Sequence, residues 1–433
     1  MVTRMGQGER FMGMKVLVVG GGGREHTIVW KLKQSPLVSE LHCAPGNGGI
    51  ASLAACHAVD AVDVAGMVAL ARRLAVDLVM VAPDDPLAAG MVDALEAAGI
   101  RAFGPRKNAA IIEASKSFSK ELMKQYGIPT ASYEVFEDAE KAVGWLQSQK
   151  MPIVVKADGL ALGKGVLICA TLAEAETAVR SILTEGKFGE AGSRVVIEEC
   201  LTGPEVTVLA FTDGKTMLPM ASSQDHKRAR DHDEGLNTGG MGTFSPSRIY
   251  TPEMEAWCME HIYLPTMDAL NREGRTFRGV LYFGLMITPE GPKVIEYNAR
   301  FGDPETQVLL PRLKNDLMEI FLAILDNRLD TVALQWKPES AVCVVMASGG
   351  YPEAYKKGYP IQGLEAAEQV ETVTVFHAGT KRDGDAVVTA GGRVLGVTAL
   401  GIDMEQARQR AYEAVSRIRF RDAHWRTDIG IKK

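Results

Sequence analysis

The chain has 433 residues, 46% hydrophobic and 24% charged, with 44 glycines and a formal net charge of −6. That length exceeds what one hydrophobic core supports, so about three domains of a soluble α/β protein are expected. The acidic balance argues against broad capture of nucleic acid or an anionic membrane, while leaving room for a local basic pocket that binds small anions.

The cysteines at 43, 56, 169, 200, 258 and 343 are scattered and form no C-x-x-C pair, so neither a disulfide framework nor a zinc ribbon is expected. No apolar run is long enough to span a bilayer and no secretory leader is visible, which points to the cytoplasm. Residues 1–13 are polar and Gly-rich and read as an extension outside the fold.

From Met14 to about Ser115, short apolar runs (Lys15–Val19, Asp77–Ala82, Arg101–Gly104) alternate with amphipathic ones (Glu25–Lys33, Met67–Leu74, Pro86–Ala98), which predicts βαβ units and a mostly parallel sheet. Past Pro152 the texture changes. Pro152–Lys156 and Gly165–Cys169 read as paired strands around a Gly-rich loop, followed by a helix over Leu172–Leu183. Hairpins are predicted at Asp213-Gly214 and Pro289–Pro292, then a helical stretch over Asp316–Leu329. Strands at Ala341–Ala347, Val370–His377 and Arg393–Ala399 and a closing helix over Asp403–Ile418 complete the chain. The divisions expected are 14–115, 116–330 with a subdomain at about 128–200, and 331–433.

On a strand Glu296 and Asn298 share one face and Tyr297 takes the other, which sets two oxygen donors side by side. Mg²⁺ accepts that kind of partial shell, completed by water and phosphate; a solvated strand face is the alternative. Lys156 ends an apolar strand, and the loop behind it carries Gly159, Gly163, Lys164 and Gly165, suited to phosphate contact, although an ordinary hairpin loop fits the same pattern. It is not a P-loop, because Lys164 is followed by Gly165. The stretch Val195–Glu205 can present backbone groups to an adenine edge and the Glu205 carboxylate to a ribose; an acidic strand end capped by a turn is the alternative. Gly20–Gly23 fails the dinucleotide fingerprint, since Glu25 stands at its third glycine position; a helix-terminal nest for a phosphate is the alternative to a purely structural turn.

A strand lysine, a Gly-rich loop, an Ile-Glu-Glu hinge with Gly-x-Glu after it and a distal Glu-x-Asn strand follow in the order seen in ATP-grasp ligases, and the chain resembles that superfamily. It is most similar to the glycinamide ribonucleotide synthetase family of purine biosynthesis. The similarity rests on Gly22-Gly23-Arg24-Glu25-His26, Ala44-Pro45-Gly46-Asn47, Lys156–Gly165, Ser223–Arg228, Asn237–Gly242, Arg300–Thr306, Phe376–Thr380 and Gly391–Val394.

The resemblance implies an ATP-grasp fold with an N-terminal parallel α/β domain, an inserted lid subdomain and a C-terminal mixed β domain. It implies ligation of glycine to 5-phosphoribosylamine by way of glycyl phosphate, with ATP as co-substrate and Mg²⁺ or Mn²⁺ as the metal, in a monomer. Lys156, Lys164 and Arg300 are then expected to act in catalysis. Lys116, Lys156, Gly163, Lys164, Gly165, Glu198, Glu199, Leu201 and Glu205 are expected around ATP, and Glu296 and Asn298 on the metal. Gly22, Gly23, Arg24, Asn47, Asp225, His226, Lys227, Asn237, Gly239, Gly240, Arg300 and Asp303 are expected around the substrates. The acidic ligand common on the preceding strand is absent, because that stretch reads Tyr282-Phe283-Gly284-Leu285. A carboxylating or formate-using ligase of the same superfamily, a nicotinamide-dependent oxidoreductase and a non-catalytic nucleotide-binding module are the competing readings.

Overall fold

The computed structural model describes residues 13–161 and 165–431. The first sheet is parallel, ordered Ala55–Cys56, Val38–Pro45, Met14–Gly20, Leu78–Val81, Ala102–Phe103. Val16, Val18, Leu78 and Met80 are buried on one face and Leu17, Val19, Val79 and Val81 on the other, as in a sheet covered on both sides. Chain order reverses between Met14–Gly20 and Leu78–Val81, so the loops after them, carrying Gly20–Gly22 and Ala82–Asp84, open a crevice at the strand ends. The amphipathic run expected as one helix over Pro86–Ala98 is two, Asp84–Ala89 and Met91–Ala97, because Gly90 at φ +90° breaks the spiral.

A four-stranded antiparallel sheet follows, ordered Tyr133–Phe136, Val195–Glu199, Ile153–Ala157, Val166–Cys169. The helices Ala139–Leu146 and Leu172–Leu183 cover it, each started by a side-chain cap from Asp138 or Thr171. Leu146, Val155, Val179, Ile182 and Ile197 give this unit its own small core.

The central sheet is also antiparallel, ordered Met217–Pro219, Glu205–Thr212, Gly279–Thr288, Gly291–Asn298. The last pair contains a bulge. Glu296 faces Gly284 while Val294 faces Leu285, leaving Ile295 without a partner in the ladder.

The C-terminal sheet holds Ser340–Ala347, Arg393–Gly401 and Val373–His377, packed by the helix Met404–Arg417 through Ala407, Ala411 and Val415. Its other two strands, Gln224–Asp225 and Gly242–Ser245, come from the middle of the chain. The loops between those two strands are thereby anchored where the domains meet. Among the described residues no helix is long and apolar enough to cross a membrane.

Candidate functional site

Bulging frees the Ile295 carbonyl from the ladder, and Lys156 Nζ donates to it at 3.2 Å. Beyond the bulge Tyr297 turns into the core, where its hydroxyl lies 2.9 Å from Thr266 Oγ1, and Glu296 and Asn298 stand on the opposite face. Burial pushes the Glu296 carboxyl up, but the positive charges of Lys227, Lys156, Lys116 and Arg300 outweigh it and hold the group below the usual carboxylate range. Lys227 Nζ is 3.7 Å from Glu296 and 3.0 Å from Glu205. Burial works against its charge, yet Glu205, Glu296 and Asp225 keep it well above its ordinary value.

Lys156 also pairs with Glu198 at 2.9 Å, and the second oxygen of Glu198 pairs with Lys120 at 2.9 Å, all three side chains being buried. The Glu198 side chain is therefore a counter-ion between two lysines rather than a free group at the strand end. Glu199 and Leu201 stand at that end, Glu199 3.2 Å from the Ser132 hydroxyl. Lys116 starts the helix Lys116–Gln125 and donates to the Gly159 carbonyl at 2.9 Å, while Asp158 accepts from Ser117 N at 2.6 Å. These bonds tie the entrance of the Gly-rich loop to the helix. Gly165 closes the loop and accepts from Ala157 N at 2.8 Å. Gly163 and Lys164 lie outside the described residues.

Arg300 connects this cluster to the crevice of the first sheet, 2.9 Å from Glu113 and 4.0 Å from Asp84. Asp303, on the loop that follows, accepts from Gln307 Nε2 at 2.8 Å and sits beside Arg393 at 3.6 Å. Arg393 Nη1 donates to the carbonyls of Gly239 and Asp303 at 2.7 Å each, and a side chain at Gly240 would meet the Pro304 ring. Gly22, Gly23, Gly239, Gly240, Asp303 and Arg393, remote in sequence, thus share one junction.

Three expected contacts are modified there. Gly22 N donates to the Glu25 carboxylate, and Asp303 takes the backbone N–H of Arg24, so the start of helix Gly23–Leu32 is closed by two acids. The Gly20–Gly23 turn, expected as a phosphate nest, thus has two carboxyl groups at its backbone donors. Arg24 is spent on Glu25 at 2.6 Å and on the Phe301 carbonyl at 3.0 Å. Asn47 donates to the carbonyls of Gly21 at 2.9 Å and His377 at 2.8 Å and accepts from Gly49 N and Ile50 N, which makes it a brace for the turn.

Asp225 and His226 are buried at the strand pair Gln224–Asp225 and Gly242–Ser245: Asp225 pairs with Thr243, and His226 N donates to the Gly242 carbonyl at 2.8 Å. Asn237 pairs with Arg228 in a separate two-stranded antiparallel ribbon, Arg228–Arg230 with Glu234–Asn237. Sequence reasoning missed Glu113, Lys120 and Glu305 as site candidates and left Arg393 without a role. Lys120 and Glu113 sit on helices whose buried faces hold a charge, a signal the hydrophobic pattern alone does not isolate. Glu305 lies 3.2 Å from the Tyr282 hydroxyl, and burial beside Asp225 raises its carboxyl to about 7.

Two α+β units, one with its own small core and a Gly-rich loop, the other bearing an ionised carboxylate ringed by cations, define the ATP-grasp class of ATP-dependent ligases. The chain matches the family descriptions "Phosphoribosylglycinamide synthetase, N domain" over 14–113, "ATP-grasp (A) domain" over 114–306 and "C domain" over 341–432, and it belongs to the phosphoribosylglycinamide synthetase family. It is 52% identical to a phosphoribosylamine–glycine ligase of Allochromatium vinosum over 420 residues, covering 96% of this chain and 98% of that one. The corresponding ligase of Brucella melitensis is 50% identical over 417 residues, covering 96% and 97%. The crystal structure of the phosphoribosylamine–glycine ligase of Thermotoga maritima superposes with a TM-score of 0.83 at 31% identity, covering 96% and 99%. A biotin carboxylase domain from Hydrogenobacter thermophilus shares the fold, with a TM-score of 0.73 at 16% identity over 95% of this chain and 91% of that one.

Proposed function

We propose that the chain joins glycine to 5-phosphoribosylamine at the expense of ATP, through glycyl phosphate, with both steps run between the Glu296 cluster and the Asp303 junction. The observation that carries this reading is the convergence of Lys116, Lys156, Lys227 and Arg300 on the Glu296 carboxylate. Each of these cations is held by a further partner, Lys156 by Glu198, Lys227 by Glu205, Arg300 by Glu113 and Lys116 by the Gly159 carbonyl, so they form a preorganised ring against which the phosphates of ATP can be bound. Lys164 of the Gly-rich loop is assigned to the same phosphates, with Gly163 and Gly165 allowing the backbone to approach. Glu199 and Leu201 line the adenine edge and Glu205 holds the ribose.

Glu296 and Asn298 offer hard oxygen donors, one of them ionised beneath a ring of cations, a set that fits Mg²⁺ or Mn²⁺. Such a metal, when bound, neutralises phosphate oxygens during transfer. In the first step a glycine carboxylate oxygen forms a bond to the γ-phosphorus and the bond to ADP breaks, with Arg300 and Lys156 countering the charge. In the second the amine of phosphoribosylamine attacks the acyl carbon, phosphate leaves, and the amine proton passes to phosphate or water. Asp303, the turn Gly22–Arg24 and Arg393 are assigned together to phosphoribosylamine. Asp225, Lys227 and the Asn237–Gly240 segment enclose the space between, and the unit at about 128–200 acts as the lid that keeps water from the acyl phosphate. We assign the chain to the cytoplasm, as a monomer.

Phosphate release with substrates omitted in turn is the test. Release that requires both glycine and phosphoribosylamine agrees with this function; ATP turnover with neither, or transfer to formate or bicarbonate, overturns it.

A further inference from the structure

Asn298, Ala299 and Arg300 run consecutively out of the hairpin, and one carboxylate from another part of the chain grips all three. Glu113, near the end of helix Lys107–Ala114, accepts from Ala299 N through Oε2 at 2.7 Å, and its Oε1 forms an ion pair with Arg300 Nη2 at 2.9 Å. In the orientation that satisfies its neighbours, the Asn298 amide nitrogen also donates to Glu113 Oε1 at 2.8 Å. A buried carboxylate persists only where cations and donors surround it, and here the donors are the metal-end residues themselves. An amide has a donor end and an acceptor end, so a partner that takes the N–H fixes which way the oxygen faces. Leu160 of the Gly-rich loop lines a small recess with Glu113, Asp84 and Ala299, so the same acid borders the loop.

We propose that Glu113 is a positioning residue of the metal end: it holds the Asn298 oxygen toward the cation and Arg300 toward the transferring phosphoryl group, without touching substrate. The proposal rests on the reading of Glu296 and Asn298 as metal donors. Carboxylates that orient a metal ligand from behind contribute about 10- to 100-fold in metal affinity, and that is the size expected here.

The test uses the full chain with Mn²⁺ and ATP, comparing Glu113→Gln, Glu113→Asp and Asn298→Ala. Half-saturating Mn²⁺ rises about 10- to 100-fold in both Glu113 variants, while the KM for phosphoribosylamine stays within about twofold. Glu113→Asp keeps the charge, shortens the reach and supplies the answer should Glu113→Gln fail to fold. Wild-type Mn²⁺ dependence in the Glu113 variants alongside a shift in Asn298→Ala overturns the positioning role and leaves the site reading intact. No shift in any of the three overturns both. A uniform loss of every parameter together with a lowered Tm reduces Glu113 to a structural residue and also overturns the role.

Discussion

The two ends of the site are built by different physics. At the end proposed for the nucleotide whole charges face one another across a few ångströms: Lys156 and Lys120 on Glu198, Lys227 on Glu205 and Glu296. At the junction the bonds run mostly to backbone, with Arg393 on the Gly239 and Asp303 carbonyls and Asn47 on those of Gly21 and His377, and glycines permit the close approach. A site that handles phosphoryl charge needs preorganised ions, whereas one that holds a small sugar among three chain segments needs fixed loops and little bulk. Charge-changing substitutions should therefore damage the first end, and size-changing ones the second.

The largest effect is expected from Glu296→Ala and Lys156→Met, each lowering kcat by about 10²–10³-fold, the size seen when a charge-stabilising group is removed. Steady-state kinetics at saturating metal checks it, and kcat within about twofold of wild type would break the charge-based half of the contrast. Next, Asp303→Asn should raise the KM for phosphoribosylamine about 10- to 100-fold, the worth of one charged hydrogen bond, with the KM for ATP unchanged. A parallel rise for ATP would show that the two ends are not separable.

Gly240→Ala comes third. Gly240 has φ +110°, and an added Cβ would lie 2.5 Å from Pro304 Cδ, so a loss of about 1–3 kcal/mol in stability is expected from denaturant midpoints. The smallest effect concerns pH. His26 Nδ1 accepts from His377 N at 2.7 Å, and burial holds the two rings neutral, lowering them from 6.5 to about 3 and about 4. Unfolded, both would take up protons below 6.5, so their contribution is complete above that pH and declines as the pH falls toward 4. His377→Gln should flatten the decline in denaturant midpoint over that window; an unchanged slope would remove the junction histidines from the account.

The contrast also explains what could be read from sequence. The segments around Lys156, Glu198 and Glu296–Asn298 have clear strand periodicity, so their strands could be read before any fold was known, whereas the burial of Glu198 between two lysines could not. The helix Leu172–Leu183 has the bounds its apolar spacing gave, because its own pattern buries Ala175, Ala178, Val179 and Ile182 on one side. The bulge at Ile295 was not legible: it depends on how two strands register, and that carbonyl gains its meaning only from Lys156, 139 residues away. The junction was legible only as a set of dense polar motifs. That Asn47 braces His377, 330 residues on, and that Glu25 and Asp303 close the turn expected to hold phosphate, follow from topology rather than local pattern.

The central claim is that Glu296 and Asn298 form the metal end of the ATP site. Anomalous scattering from a crystal grown with Mn²⁺ and a non-hydrolysable ATP analogue tests it most directly. A Mn²⁺ peak is expected at about 2.0–2.4 Å from a Glu296 carboxylate oxygen and from the Asn298 amide oxygen. A nucleotide bound with its metal held by other residues would contradict it.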